Sequence, residues 1–207
     1  MGIRISARGL RMAFNRRTVF QGIDFSVGNG ETLLVAGRNG SGKSTLVKIL
    51  CGLLTPTGGK VEMTGEKPLD AHAWRGHIGL VAPYLQVYDE FSAIENLRLT
   101  MALRGLLSDD GAHRSLLERL ALDVRRSDPV RGFSSGMKQR LKYALALSHQ
   151  PSVLVLDEPM ANLDSDGTMI VRSIMEEQRR RGILVVATND LSDVSAVQTR
   201  VDLDDRR

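Results

Sequence analysis

"ETLLVAGRNGSGKSTLVKIL", residues 31–50, is the stretch that decides the fold. Its opening, "ETLLVAG", is an apolar run stopped by glycine, the pattern of a buried strand, and from Lys43 onward apolar residues recur at helical spacing. Between the two, "GRNGSGKST" at 37–45 matches G-x-x-x-x-G-K-[ST], a phosphate-binding loop. Gly37, Gly40 and Gly42 let the backbone turn its N–H groups inward around phosphate oxygens. Arg38, Asn39 and Ser41 complete the cradle, and the helix N-terminus adds a positive dipole end. Lys43 is placed to reach the β- and γ-phosphates, Ser44 to offer its hydroxyl to Mg²⁺, and Thr45 to support the α-phosphate side. A Gly-rich turn ahead of any helix does not explain Lys followed by Ser.

The missing carboxylates come from "VLVLDE" at 153–158, a continuous apolar run typical of a strand buried on both faces. It delivers Asp157 and Glu158 at its C-terminal end, the edge where open α/β sheets bind ligands. Asp157 suits a Mg²⁺ contact. Glu158, one residue on, points elsewhere and can polarise an attacking water. Further strands are read at "HIGLVA" (77–82) and "ILVVATN" (183–189), and "SDGTMIVRSIMEEQRRRG" reads as a capped helix ending at Gly182. Strand and helix alternate at both ends of the chain, as in an α/β core with a mostly parallel sheet. From about 84 to 150 the reading is helical, an insertion packed beside the core with no linker separating it, so 1–207 is expected to be one domain.

Composition narrows the classes. A 42% hydrophobic content suffices for a core, and the apolar runs are strand-length, too short to cross a bilayer. The basic start has no apolar h-region, so no secretory signal is expected. The one cysteine, Cys51, allows no internal disulfide and falls in "LVKILCGLL", a buried helix. The net charge of +4 is spread over groups such as "NRRT" and "QRRRG", which read as solvated surface. At 4% aromatics a stacking platform is not expected, and no nucleic-acid partner is called for.

Phosphate-binding loops serve many enzymes, and "FSSGMKQR" at 133–140 separates them. The chain resembles the ABC ATPase family, whose signature loop reads LSGGQxQR. Here Ser134, Ser135, Gly136 and Met137 stand in the signature, at the family's usual distance ahead of "VLVLDE", and "ANLD", with Asp164, stands where the family has its D-loop. The resemblance implies a P-loop NTPase core, a small N-terminal antiparallel β part and an inserted α-helical subdomain. It implies that two copies pair head to tail, the signature of one closing over ATP held by the other. Phe14 matches the aromatic residue that stacks on adenine. Ser135 replaces a Gly, and Met137 a Gln. The Q-loop glutamine position holds Pro83, leaving Gln86 as the substitute. The switch histidine position holds Asn189, which is assigned to the γ-phosphate or, alternatively, to capping a helix that starts near "LSDV".

The expectation is therefore the ATP- and Mg²⁺-dependent subunit of an ABC transporter, paired with a second ATP-binding subunit. It would act from the cytoplasmic face of the cell membrane, coupled to separate transmembrane permease subunits. Resemblance to the small haem-exporter subunits of cytochrome c maturation is weaker. The rival readings are a soluble, non-transport ABC ATPase and a slow nucleotide-dependent switch, the latter suggested by Pro83 and Asn189.

Overall fold

The computed structural model describes residues 2–122 and 127–205; the basic pair at 125–126 lies outside them. The chain opens with β1 (Arg4–Phe14) and β2 (Arg17–Gly28), which pair antiparallel. Their connection is two residues long: Asn15 and Arg16 both have positive φ, 45° and 68°. That geometry matches the twist of the flanking strands. It makes Phe14 and Arg17 the last cross-strand pair of the hairpin. A later strand, β4 (Gly58–Thr64), pairs with the other edge of β1, giving a three-stranded antiparallel sheet in the order β2-β1-β4.

The second sheet is parallel throughout. It contains β3 (Thr32–Ala36), β5 (Ile78–Val81), β6 (Val153–Asp157), β7 (Ile183–Thr188) and β8 (Thr199–Asp202), in the order β5-β6-β7-β3-β8. Every residue of β3, β6 and β7 is buried, as the unbroken apolar runs require when both faces are covered. Period-two alternation sorts these side chains into two cores. Val153 and Val155 of β6, with Val185 of β7, face the antiparallel sheet and α1 (Lys43–Leu50). Leu154, Leu156 and Val186 face the opposite layer of helices.

Those helices are α3 (Ala93–Leu103), α4 (Asp110–Arg119), α5 (Ser135–Leu147) and α6 (Ser165–Arg181); a short α2 (Ala71–Gly76) precedes β5. Each long helix begins on a polar cap. Ser92 and Glu95 form a reciprocal capping box, while Asp109, Ser134 and Asp164 accept from first-turn N–H groups. Three of the helices, α3 to α5, sit between neighbouring strands β5 and β6, where the sequence reads as a helical excursion. Buried Tyr143 of α5 donates its hydroxyl hydrogen to the Pro159 carbonyl at 2.8 Å, tying this layer to the loop after β6.

Because all five strands run the same way, the C-terminal ends of β3, β6 and β7 emerge on one edge of the sheet. With β7 between β3 and β6, the loops after Ala36, Asp157 and Thr188 are side by side.

Candidate active site

At that edge lies a cavity of about 830 Å³. One wall is the loop after β3 and the first turn of α1: Asn39, Gly40, Gly42, Lys43, Ser44 and Thr45. The opposite wall is the β1–β2 hairpin, with Phe14, Arg17, Thr18 and Val19. Glu158 reaches in from the end of β6. Two glycines make the loop possible. Gly42, the residue before α1, has φ 107°, and a Cβ there would come within 2.6 Å of Val19 Cγ1, so β2 rests directly on the loop backbone. Gly37 has φ 148°, and a Cβ there would meet the Ser41 hydroxyl at 2.5 Å. Arg38 points away from the cavity. Its backbone N–H donates to Asp204 at 3.1 Å, and its guanidinium is 3.5 Å from the same carboxylate.

Lys43 is 6% exposed, and its ammonium group donates to the Gly37 carbonyl at 2.7 Å. It also lies 3.3 Å from Glu158 Oε1. Glu158 takes a left-handed backbone, φ 51°, while its N–H continues the ladder to the Ala187 carbonyl at 2.8 Å. A bulky residue in that region is strained, and such strain concentrates at functional sites. The kink after β6 is what separates the neighbouring acids. Glu158 turns into the cavity, and Asp157 stays inside the sheet edge, fully buried.

Neither Asp157 oxygen accepts a well-formed hydrogen bond. Burial pushes its carboxyl above the ordinary aspartate value, and the nearby Ser44 hydroxyl offsets part of that. A buried carboxylate that no full-strength hydrogen bond satisfies, with the Ser44 hydroxyl beside it, fits a hard cation that takes oxygen ligands. Among the described residues no three His, Cys, Asp or Glu side chains converge as a metal cage. An ion here would therefore complete its shell with phosphate and water oxygens.

The other expected residues lie outside the cavity lining. Ser134, Ser135, Gly136 and Met137 form the start of α5. Ser134 caps it by accepting from Met137 N–H at 3.2 Å, and Met137 packs its side chain against the helical-layer core. A Cβ on Gly136 would come 3.1 Å from the Asn162 carbonyl, so the glycine already serves an approach within the chain. Asp164 is held as the cap of α6, its carboxylate accepting from Gly167 N–H at 2.8 Å. Gln86 is exposed with no hydrogen bond among the described residues, and the Ala82 and Pro83 carbonyls accept from the Lys142 ammonium at 3.4 and 3.3 Å. Asn189 is exposed, and its side chain has no partner among the described residues. The capping alternative for Asn189 is corrected here: Asp190 caps the 3-10 turn at Leu191–Asp193, accepting from Ser192 N–H at 2.9 Å. An aspartate one residue nearer the turn takes the role.

Three basic side chains of α5 reach three other segments. Lys138 pairs with Asp89 at 2.7 Å, Arg140 donates to the Leu120 and Ala121 carbonyls, and Lys142 holds the Ala82–Pro83 turn. Backbone bonds from Val130 to Phe91 and from Arg131 to Asp89 add to the contact.

Sequence reading missed Arg17 and Tyr84. Arg17 falls in "NRRT", which reads as solvated surface; the available signal is its place directly after the two-residue turn that Phe14 precedes. Tyr84 lies with the Lys48 ammonium 4.4 Å from its ring centre, a contact no motif announces.

Known proteins with this arrangement agree. The ABC transporter family profile matches residues 20–161. The chain is 33% identical over 199 residues to the ABC transporter ATP-binding protein YxlF of Bacillus subtilis, covering 95% of this chain and 66% of that protein. It is 32% identical over 191 residues to the cytochrome c biogenesis ATP-binding export protein CcmA of Nitrosomonas europaea, covering 89% of this chain and 87% of that one. The solved structure of an ABC transporter ATP-binding protein from Pyrococcus furiosus superposes with a TM-score of 0.83 over 98% of both chains, at 23% identity, and so shares the fold. On its profile, its relatives and its fold, the chain belongs to the ABC transporter family as an ATP-binding subunit.

Proposed function

We propose that this chain hydrolyses ATP within a head-to-tail pair of ATP-binding subunits and drives export through separate membrane subunits. The observation that carries the reading is the cavity. A backbone nest and a buried lysine face a carboxylate held in a strained turn, at the C-terminal edge of a parallel sheet. The nest at 37–45 and the start of α1 bind the triphosphate, and Phe14 stacks on the base. Lys43 neutralises phosphate charge. Ser44 and Asp157 are the residues that would hold Mg²⁺, which when bound would neutralise charge developing on the phosphate oxygens. Glu158 accepts the proton of the attacking water, and Asn189 donates a hydrogen bond to the γ-phosphate.

Pairing is supported by the position of the signature. The small residues at 134–136 stand at the start of a capped helix outside the chain's own cavity, so a second copy is needed to bring them to ATP. We take 1–207 as one ABC ATPase domain, with the helical part at about 84–150 as its subdomain. No helix among the described residues is long and apolar enough to cross a membrane. Transport then rests on permease subunits, with this chain on the inner face of the cell membrane. Between the two parts lies a 290 Å³ groove, apolar along Leu53, Leu80 and Leu85. It suits an amphipathic permease segment. The likeness to CcmA, an export protein by name, supports export as the direction.

Glu158→Gln tests the reading. An amide cannot accept the proton, so turnover should fall about 10²–10⁴-fold with ATP binding retained. The variant should then accumulate as an ATP-bound dimer in size-exclusion runs. Wild-type turnover together with a monomer in ATP would overturn both the base assignment and the pairing.

A further inference from the structure

Beside the Mg²⁺ that Ser44 and Asp157 would hold, the cavity offers few cationic side chains to a triphosphate. Among its described lining residues only Lys43 and Arg17 are cationic, and Lys43 already faces Glu158 at 3.3 Å. Among the described residues the Arg17 guanidinium makes no hydrogen bond or ion pair, although other surface arginines such as Arg98, Arg119 and Arg131 are paired with carboxylates. Its place is built. The two-residue turn at Asn15 and Arg16 sets Arg17 opposite Phe14, so an aromatic face and a guanidinium enter the cavity mouth as one cross-strand pair. Val19, left unpaired by a bulge between Thr18 and Phe20, is wedged against the Gly42 position of the loop and anchors this strand on it. The arginine is thus held at a fixed offset from the nest that takes the phosphates.

We infer that Arg17 is a nucleotide-binding residue that contacts the phosphate chain from the hairpin side and sets the affinity of the site. This rests on reading the cavity as a nucleotide site. A guanidinium presents paired donors that match phosphate oxygens, and a free one at the mouth of an anion site has no competing partner to give up. Its role differs from that of Phe14: the ring reads the base by stacking, and Arg17 reads charge. Other nucleotides with the same phosphate chain gain equally, so Arg17 contributes strength of binding and not choice of base.

The test is titration calorimetry of Mg-ATP binding to the full chain, comparing wild type, Arg17→Ala and Arg17→Lys at several KCl concentrations. For a charge-assisted bond at an exposed position, the Ala variant should bind roughly three- to tenfold more weakly. Its affinity should also depend less steeply on salt, with Lys in between. Melting curves without nucleotide should superimpose, because the Arg17 side chain has no bond to the described residues to lose while its backbone pairing stays. Ala affinity equal to wild type overturns the inference. So does weaker binding with an unchanged salt dependence, which would place Arg17 on the base or ribose. Failure of wild-type protein to bind Mg-ATP would overturn the nucleotide-site reading itself.

Discussion

Asp157→Asn should make the nucleotide-free protein more stable while removing its response to Mg-ATP. The carboxylate is fully buried, and neither oxygen accepts a well-formed hydrogen bond. Leaving a buried polar group without a partner costs about 1–3 kcal/mol, more when it is charged. The isosteric amide removes the charge but keeps two donors to satisfy, so the net gain is roughly 1–2 kcal/mol. For a chain of this size that corresponds to a rise in melting temperature of about 2–8 °C near neutral pH. The pH dependence gives a second, independent check. Burial raises the Asp157 pKa in the folded state, so the folded protein holds this proton more tightly than the unfolded chain. Its contribution is complete below the ordinary aspartate pKa and is lost as pH rises through the raised folded value. The advantage of the variant should therefore be largest near neutral pH and shrink on acidification. Differential scanning fluorimetry across pH, with and without Mg-ATP, measures all of this. For wild type, ligand at 100 times its Kd should add about 2.7 kcal/mol; for Asp157→Asn that increment should be largely lost. A variant no more stable than wild type, or an advantage independent of pH, would refute the picture of an unpaired buried charge. A full Mg-ATP shift in the variant would remove Asp157 from the site.

Ser134→Arg should block hydrolysis while leaving ATP binding by the single subunit intact. Because Ser134 also caps α5, Ser134→Ala is the control: both lose about 1 kcal/mol of cap, and only Arg should abolish turnover in the assembled transporter. Asn189→Ala should lower turnover in the assembled transporter, and Asn189→His should keep or raise it. Melting temperatures should stay unchanged, since Asp190 does the capping; a stability loss in both with normal turnover would reassign the residue. Tyr143→Phe leaves the buried Pro159 carbonyl without its donor, and denaturant unfolding should show a loss of about 1–3 kcal/mol.

What could be read ahead of the structure divides by range. The phosphate loop and the acid pair were legible because each is a local motif at the end of a strand, and strands buried on both faces announce themselves as unbroken apolar runs. The order of the sheet, with β7 between β3 and β6, was not legible, since pairing is decided by crossovers that no short pattern records. Arg17 was missed for a conformational reason. The turn that places it uses Asn and Arg at positive φ, whereas the usual hairpin signal is a glycine. The Glu158 kink was hidden for a similar reason: a left-handed glutamate is imposed by its surroundings, not by its own preference. Gly136 was assigned to contact with another subunit's nucleotide, and the structure adds a nearer demand from the Asn162 carbonyl.

The three cations of α5 have a mechanical consequence. Lys138, Arg140 and Lys142 fasten one stiff rod to the segment around Asp89, to the end of the α4 turn and to the Ala82–Pro83 carbonyls. The cap at Ser134 is the tip of that same rod. The 82–91 strip and α5 are thereby fastened as one piece: to move either alone, the Lys138–Asp89 pair and the Lys142 contacts must give way. The small residues at 134–136 stand at the head of that piece, so the strip and the signature share one footing.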